Sequence, residues 1–158
     1  MKISDVLQVV IYPGLALLPK QMNSPAAIAM LLTIGLQESR FIYRRQVGGP
    51  ARGFYQFEKK GGVAGVLLHH RGASPLIRDV LDRLQYDLDL DTSYAAIEHN
   101  DALATAFARL LLWTLPDTLP QKDEYERSWE QYIEAWRPGK PHRQTWNEFY
   151  RQAWGIFE

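Results

Sequence analysis

The chain has 158 residues, enough for one domain with a full hydrophobic core and little for a second. Its 46% apolar and 23% charged residues exclude a disordered or fibrous chain, and the lack of cysteine excludes disulfides and thiolate metal sites. Lys+Arg and Asp+Glu balance at 18 each, which removes the basic surplus that non-specific nucleic-acid binding draws on, although Arg40, Arg44, Arg45 and Arg52 leave room for a local basic patch. Five Trp and eight Tyr make the chain rich in rings that stack on sugars or bases, after core packing has taken its share.

The segment from Val6 to Leu18 is apolar, but Asp5 and Gln8 interrupt its start and Pro13-Gly14 its middle. It therefore lacks the unbroken run of a signal peptide or of a ~20-residue membrane span. It reads as a packed helix, a turn and a second short helical piece, with no stable membrane insertion. Ser24-Pro25 is a strong helix start, because Ser caps free backbone donors and Pro suits the first helical position. Ala26 to about Tyr43 reads as one helix with Ile28, Leu31, Leu32 and Gly35 on one stripe, and Gly48-Gly49-Pro50 ends it. Gly53-Phe54-Tyr55-Gln56-Phe57 is a strand or an extended loop. A helix follows from Val63 to His70, and Ser74-Pro75 begins another from Leu76 to about Tyr86. Asp87 to Asp91 reads as an acidic turn.

Tyr94 to Leu115 is helical, with a break expected near Asn100, which would cap the second part. That part, from Ala102 to Trp113, is apolar nearly all round and belongs at the centre of the domain. Pro116 and Pro120 bracket a loop. Amphipathic helices from Glu124 to Trp136 and from Arg143 to Trp154 close the chain, separated by Arg137-Pro138-Gly139-Lys140-Pro141. The fold class is mainly α, a single helical domain over residues 1–158 with at most a small irregular or short-stranded segment near 52–58.

Glu38 is the residue to explain. Its helical neighbours at three and four positions are Ile34, Gly35, Phe41 and Ile42, none of them basic. A carboxyl on an apolar stripe without a cation has a raised pKa, as a general acid near neutral pH requires. Gly35 would leave room beside it for a ligand. The competing expectation is a glutamate satisfied by nearby backbone or by a distant arginine. His69 and His70, being adjacent, point about 100° apart on a helix and read as an exposed helix end. No metal and no cofactor is expected.

Leu36-Gln37-Glu38-Ser39-Arg40-Phe41, followed by Gly53-Phe54-Tyr55-Gln56-Phe57, resembles the paired signature of lytic transglycosylases and goose-type lysozymes. Asn100 with Ala102 to Leu112 resembles that family's central helix, and Ala135-Trp136-Arg137-Pro138-Gly139 is a weak echo of a fourth segment. The resemblance implies the lysozyme-like fold, with Glu38 at the floor of a groove walled by Arg52 to Glu58. It implies that Glu38 is the catalytic acid and base that cleaves the β-1,4 bond between N-acetylmuramic acid and N-acetylglucosamine. Ser39 would orient the carboxyl or the sugar, Gln56 would hydrogen-bond the sugar, and Gly53, Phe54 and Tyr55 would line the groove. Trp136 stands where the family carries a tyrosine and so loses a hydroxyl, which Tyr132 or Tyr125 would have to supply.

No Asp or Glu lies between Glu38 and Glu58, which favours a one-glutamate transglycosylase forming 1,6-anhydro ends. A hydrolytic muramidase using Glu58 as second carboxylate is the first alternative. A catalytically inactive glycan-binding or phage structural module of the same fold is the second. The expected partner is the peptidoglycan glycan strand, bound by a monomer, with no nucleic acid. The resemblance and the lack of an export signal imply a bacteriophage setting, with the enzyme carried on a virion or released as an endolysin through a holin.

Overall fold

Small and branched apolar residues build a mainly helical domain in the computed structural model, which covers residues 1–158 and is 64% helix with 2% strand. Helix α1 runs through three consecutive pieces, Ile3–Val6, Leu7–Ile11 and Tyr12–Leu15, the middle one widened to π geometry. The expected break at Pro13-Gly14 does not occur, because the widened turn ahead of Pro13 accommodates its ring and its missing N–H. Gly14 is required there for close approach, since a Cβ would lie 2.4 Å from Thr105 Cβ.

Helix α2, Pro25–Ser39, starts as expected, with Ser24 Oγ accepting from the Ala27 N–H at 3.1 Å. It is buried on every side from Ala26 to Gly35, not along one stripe. It also ends four residues before Tyr43. Arg40 and Phe41 both turn left-handed, with φ of 56° and 53°, and the chain doubles back.

Helix α3 consists of the π pieces Lys59–Val63 and Gly65–His69. Helix α4, Ala73–Arg83, begins before Ser74, so Ser74 is not its cap. His70 takes that role, its Nδ1 accepting from the N–H groups of Gly72 (3.2 Å) and Ala73 (3.0 Å). Helix α5, Leu90–His99, starts four residues before Tyr94, because Asp89 of the acidic turn caps it through the Thr92 N–H at 2.7 Å. Asn100 does separate the next element, its Oδ1 accepting from Leu103 N–H at 3.0 Å.

Helix α6, Asp101–Trp113, is buried from Leu103 to Leu112 and is the expected central helix, although Trp113 at its end is exposed. Helices α1, α4 and α5 pack around it, and Arg109 ties it to the 3-10 turn Lys20–Met22 through Met22 O at 2.8 Å. Helices α7, Tyr125–Trp136, and α8, Arg143–Gly155, close the other side, α8 lying along α2. One core of 38 buried residues joins all of them. No helix is long and apolar enough to cross a membrane.

Candidate active site

The end of α2 places Glu38 where the buried helix reaches the surface. Two successive left-handed non-glycine residues cost roughly 1–3 kcal/mol each, so tertiary contacts must hold them. Phe41 supplies the main one by folding its ring over Gly35, where a Cβ would meet Phe41 Cζ at 2.0 Å. The space expected beside Gly35 for a ligand is therefore filled by Phe41. Ser39 supplies the second contact. Its buried Oγ accepts from Phe41 N–H at 3.2 Å and donates to Phe54 O at 2.7 Å.

That bond to Phe54 couples Glu38 to the segment from Gly53 to Phe57, which is a tight turn and neither a strand nor an extended loop. Arg52 and Phe57 exchange both backbone hydrogen bonds at 2.9 Å and close it. Gly53 sits at φ +76°, with Ile97 O only 2.7 Å from where a Cβ would stand, so no other residue fits. Phe54 and Tyr55, expected to line a groove, are buried in the core instead. The Tyr55 hydroxyl meets Thr105 Oγ1 at 3.0 Å, and burial pushes its pKa well up. Gln56, at φ +53°, does face the groove. Its Nε2 donates to Gly53 O at 2.8 Å, which leaves Oε1 free of any protein donor.

The hydroxyl that Trp136 lacks comes from one turn earlier on α7. Tyr132 OH donates to Glu38 Oε1 at 2.6 Å, while Tyr125 packs against Tyr150 away from the groove. Tyr132 is held by its ring, stacked on Trp146 at 4.7 Å, and Trp146 in turn donates to Ser128 Oγ at 2.8 Å. Trp136 lines the groove edge-fixed, stacked on Phe57 at 5.7 Å and donating from Nε1 to Tyr55 O at 2.9 Å. Of the five tryptophans it alone borders the groove.

No arginine and no lysine pairs with Glu38, so neither expected way of satisfying it as a structural residue applies. Burial raises its pKa to about 7, with the Tyr132 hydroxyl pulling in the opposite direction. The Tyr132 hydroxyl is itself pushed well up by burial and by the neighbouring carboxyl, so it remains a donor.

Around this pair lies a groove of about 650 Å³. Gln37 and Glu38, Gln46, Pro50 and Ala51, Gln56, Glu58, Tyr132 and Trp136 border it, and the loop after α7 completes it. Its volume is that of a small-ligand site, and its lining is mostly polar. Glu58 is exposed on its wall and pairs with neither Lys59 nor Lys60; Lys59 turns to Asp91 instead. The basic patch does not form. Arg44 binds Asp101 in a fork at 3.0 and 2.7 Å, Arg45 and Arg52 both bind Glu98, and Arg40 folds onto helix carbonyls.

No family model, curated protein or solved structure matches this chain. The chemistry of the groove is therefore read from its own atoms. A carboxyl with a pKa near 7 is divided between acid and base forms at neutral pH, the condition for giving and then taking one proton. Gln37, Lys140 and His142 border the groove although no role was read for them in the sequence. Only the Pro-Gly-Pro composition around Lys140 marked that stretch as a loop.

Proposed function

We propose that this chain cleaves the β-1,4 glycosidic bond between N-acetylmuramic acid and N-acetylglucosamine in peptidoglycan, with Glu38 as acid and base. One observation carries the reading: a cation-free, half-buried glutamate, hydrogen-bonded by a phenol and raised to about 7, borders a groove of sugar size. In the first step protonated Glu38 gives its proton to the bridging oxygen as the C1–O bond breaks. In the second, the Glu38 carboxylate takes the proton of the muramic acid 6-hydroxyl as that oxygen bonds to C1. The products are a 1,6-anhydro end and a free 4-hydroxyl, and no water is consumed. Gln56 Oε1 accepts from a sugar hydroxyl or amide, and Trp136, fixed by Phe57 and Tyr132, borders the glycan with its ring. Delivery to the wall on a virion or through a holin is part of the proposal.

Glu58 favours a second reading. It is the one other carboxylate on the groove, unpaired and exposed, and a water held between two carboxylates is the inverting hydrolase arrangement. The case for an inactive binding module lies in the missing hydroxyl of Trp136, and Tyr132 on Glu38 weakens that case.

Digestion of purified peptidoglycan with the natural protein, Glu38→Gln and Glu58→Gln, followed by mass spectrometry of the released fragments, tests all three. The proposal expects 1,6-anhydro ends from the natural protein and from Glu58→Gln, and none from Glu38→Gln. Reducing ends that vanish with Glu58→Gln would make it a hydrolase. No release by the folded natural protein would leave the binding module.

A further inference from the structure

Nine of the 18 Lys and Arg residues of this electrically balanced chain are spent in ion pairs, such as Arg44–Asp101, Arg127–Glu124 and Arg143–Glu126. Arg137 and Lys140 are the exception on the groove, with His142 beside them. All three border it, all three are exposed, and none has an acidic partner. Arg137 makes one long hydrogen bond, Nε to Glu134 O at 3.4 Å, and Lys140 makes none.

Their loop is nevertheless fixed relative to Glu38. Arg137 caps α7 in the left-handed conformation at φ 49°, and Pro138 and Pro141 restrict the backbone between. Gln37, the residue before Glu38, clamps the far end: its Nε2 donates to His142 O at 2.9 Å and its Oε1 accepts from Thr145 Oγ1 at 2.8 Å. Unpaired cations held at a set position along a substrate groove attract anionic groups of the substrate. Bare glycan of N-acetylated sugars offers none except the lactyl carboxyl of muramic acid. Stem peptides add several free carboxylates to each muramic acid.

Resting on the glycan-cleaving reading above, we infer that the loop from Arg137 to His142 binds the carboxylates of the stem peptide. The enzyme's substrate is then the peptide-bearing strand and not the stripped glycan. Two solvent-exposed charge contacts give a preference of about tenfold, weakened by salt.

The test compares KM on peptide-bearing strands with KM on strands stripped by an amidase, for the natural protein and for Arg137→Asn/Lys140→Gln. Asn tolerates the left-handed backbone at 137, and thermal unfolding verifies that the variant is folded. The expected result is a KM about tenfold lower on peptide-bearing strands, a ratio that falls toward one in the variant and in 0.5 M salt, roughly. Equal KM values for the natural protein, or a preference the variant retains, would overturn the inference while leaving glycan cleavage standing. Failure of the natural protein to cut either strand would overturn the glycan-cleaving reading and the inference with it.

Discussion

Two glutamates on helices, Glu38 at the end of α2 and Glu98 near the end of α5, are satisfied in opposite ways. Glu98 is 8% exposed and collects Arg45 at 2.8 Å, Arg52 at 3.1 Å and His99 at 3.0 Å. Glu38 is also withdrawn from water, yet receives one neutral hydroxyl from Tyr132. The same side chain is an ion-pair anchor where cations surround it and has a raised pKa where none pairs with it. The arginines near Glu38 in sequence are diverted: Arg40 to helix carbonyls, Arg44 to Asp101, Arg45 and Arg52 to Glu98.

The sharpest way to break the comparison is Glu38→Gln. Activity on peptidoglycan is expected to fall by about 10³-fold or more, since a general acid supplies roughly 10²–10⁴. Stability should move the other way. A carboxyl raised from 4.5 to about 7 in the folded state costs stability as pH climbs through that window, and the cost stays constant above it. Melting curves of both proteins at pH 5 and pH 8 should show the variant gaining about 2 kcal/mol relative to the natural protein at the higher pH, after allowance for solvent at the groove. An equal difference at both pH values would contradict it.

Glu98→Gln should behave as the mirror image. It leaves Arg45 and Arg52 without their carboxylate and is expected to cost about 2 kcal/mol of stability, read by denaturant unfolding. Its effect on kcat should be smaller than its effect on stability, because the groove wall loosens while the Glu38 pair remains.

Tyr132→Phe is the mildest of the three. Losing the hydroxyl removes the one contact that lowers the Glu38 pKa, so the descending limb of kcat/KM against pH should move up from about 7. Loss of carboxyl orientation should lower kcat by about tenfold. A limb that moves to lower pH would mean that Tyr132 acts on another group.

Much of this was legible along the chain. The Ser24-Pro25 start, the Asn100 cap and the apolar run of α6 are local signals, and local chemistry decided them. Glu38 was legible because the absence of basic residues three and four positions away along the helix is itself local. The errors came from long-range contacts. The partner of Glu38 is 94 residues away, so the sequence offered Tyr132 and Tyr125 without choosing between them. Phe54 and Tyr55 went to the core because Ser39 and Gly53 pin their turn inward, at distances no periodicity reports. α2 stopped at Ser39 because Phe41 had the notch of Gly35 to fill, a contact visible only once the chain has folded back.

The central claim, that Glu38 is held near neutrality as a proton donor, is tested most directly by titrating the glutamate side-chain carboxyls with ¹³C NMR, assigning Glu38 by its absence in Glu38→Gln. The account predicts a midpoint at about 7 for this one resonance. A midpoint in the ordinary carboxylate range, near 4.3 or roughly so, would show that water or an undetected cation satisfies Glu38, and would remove the physical basis for calling it the acid.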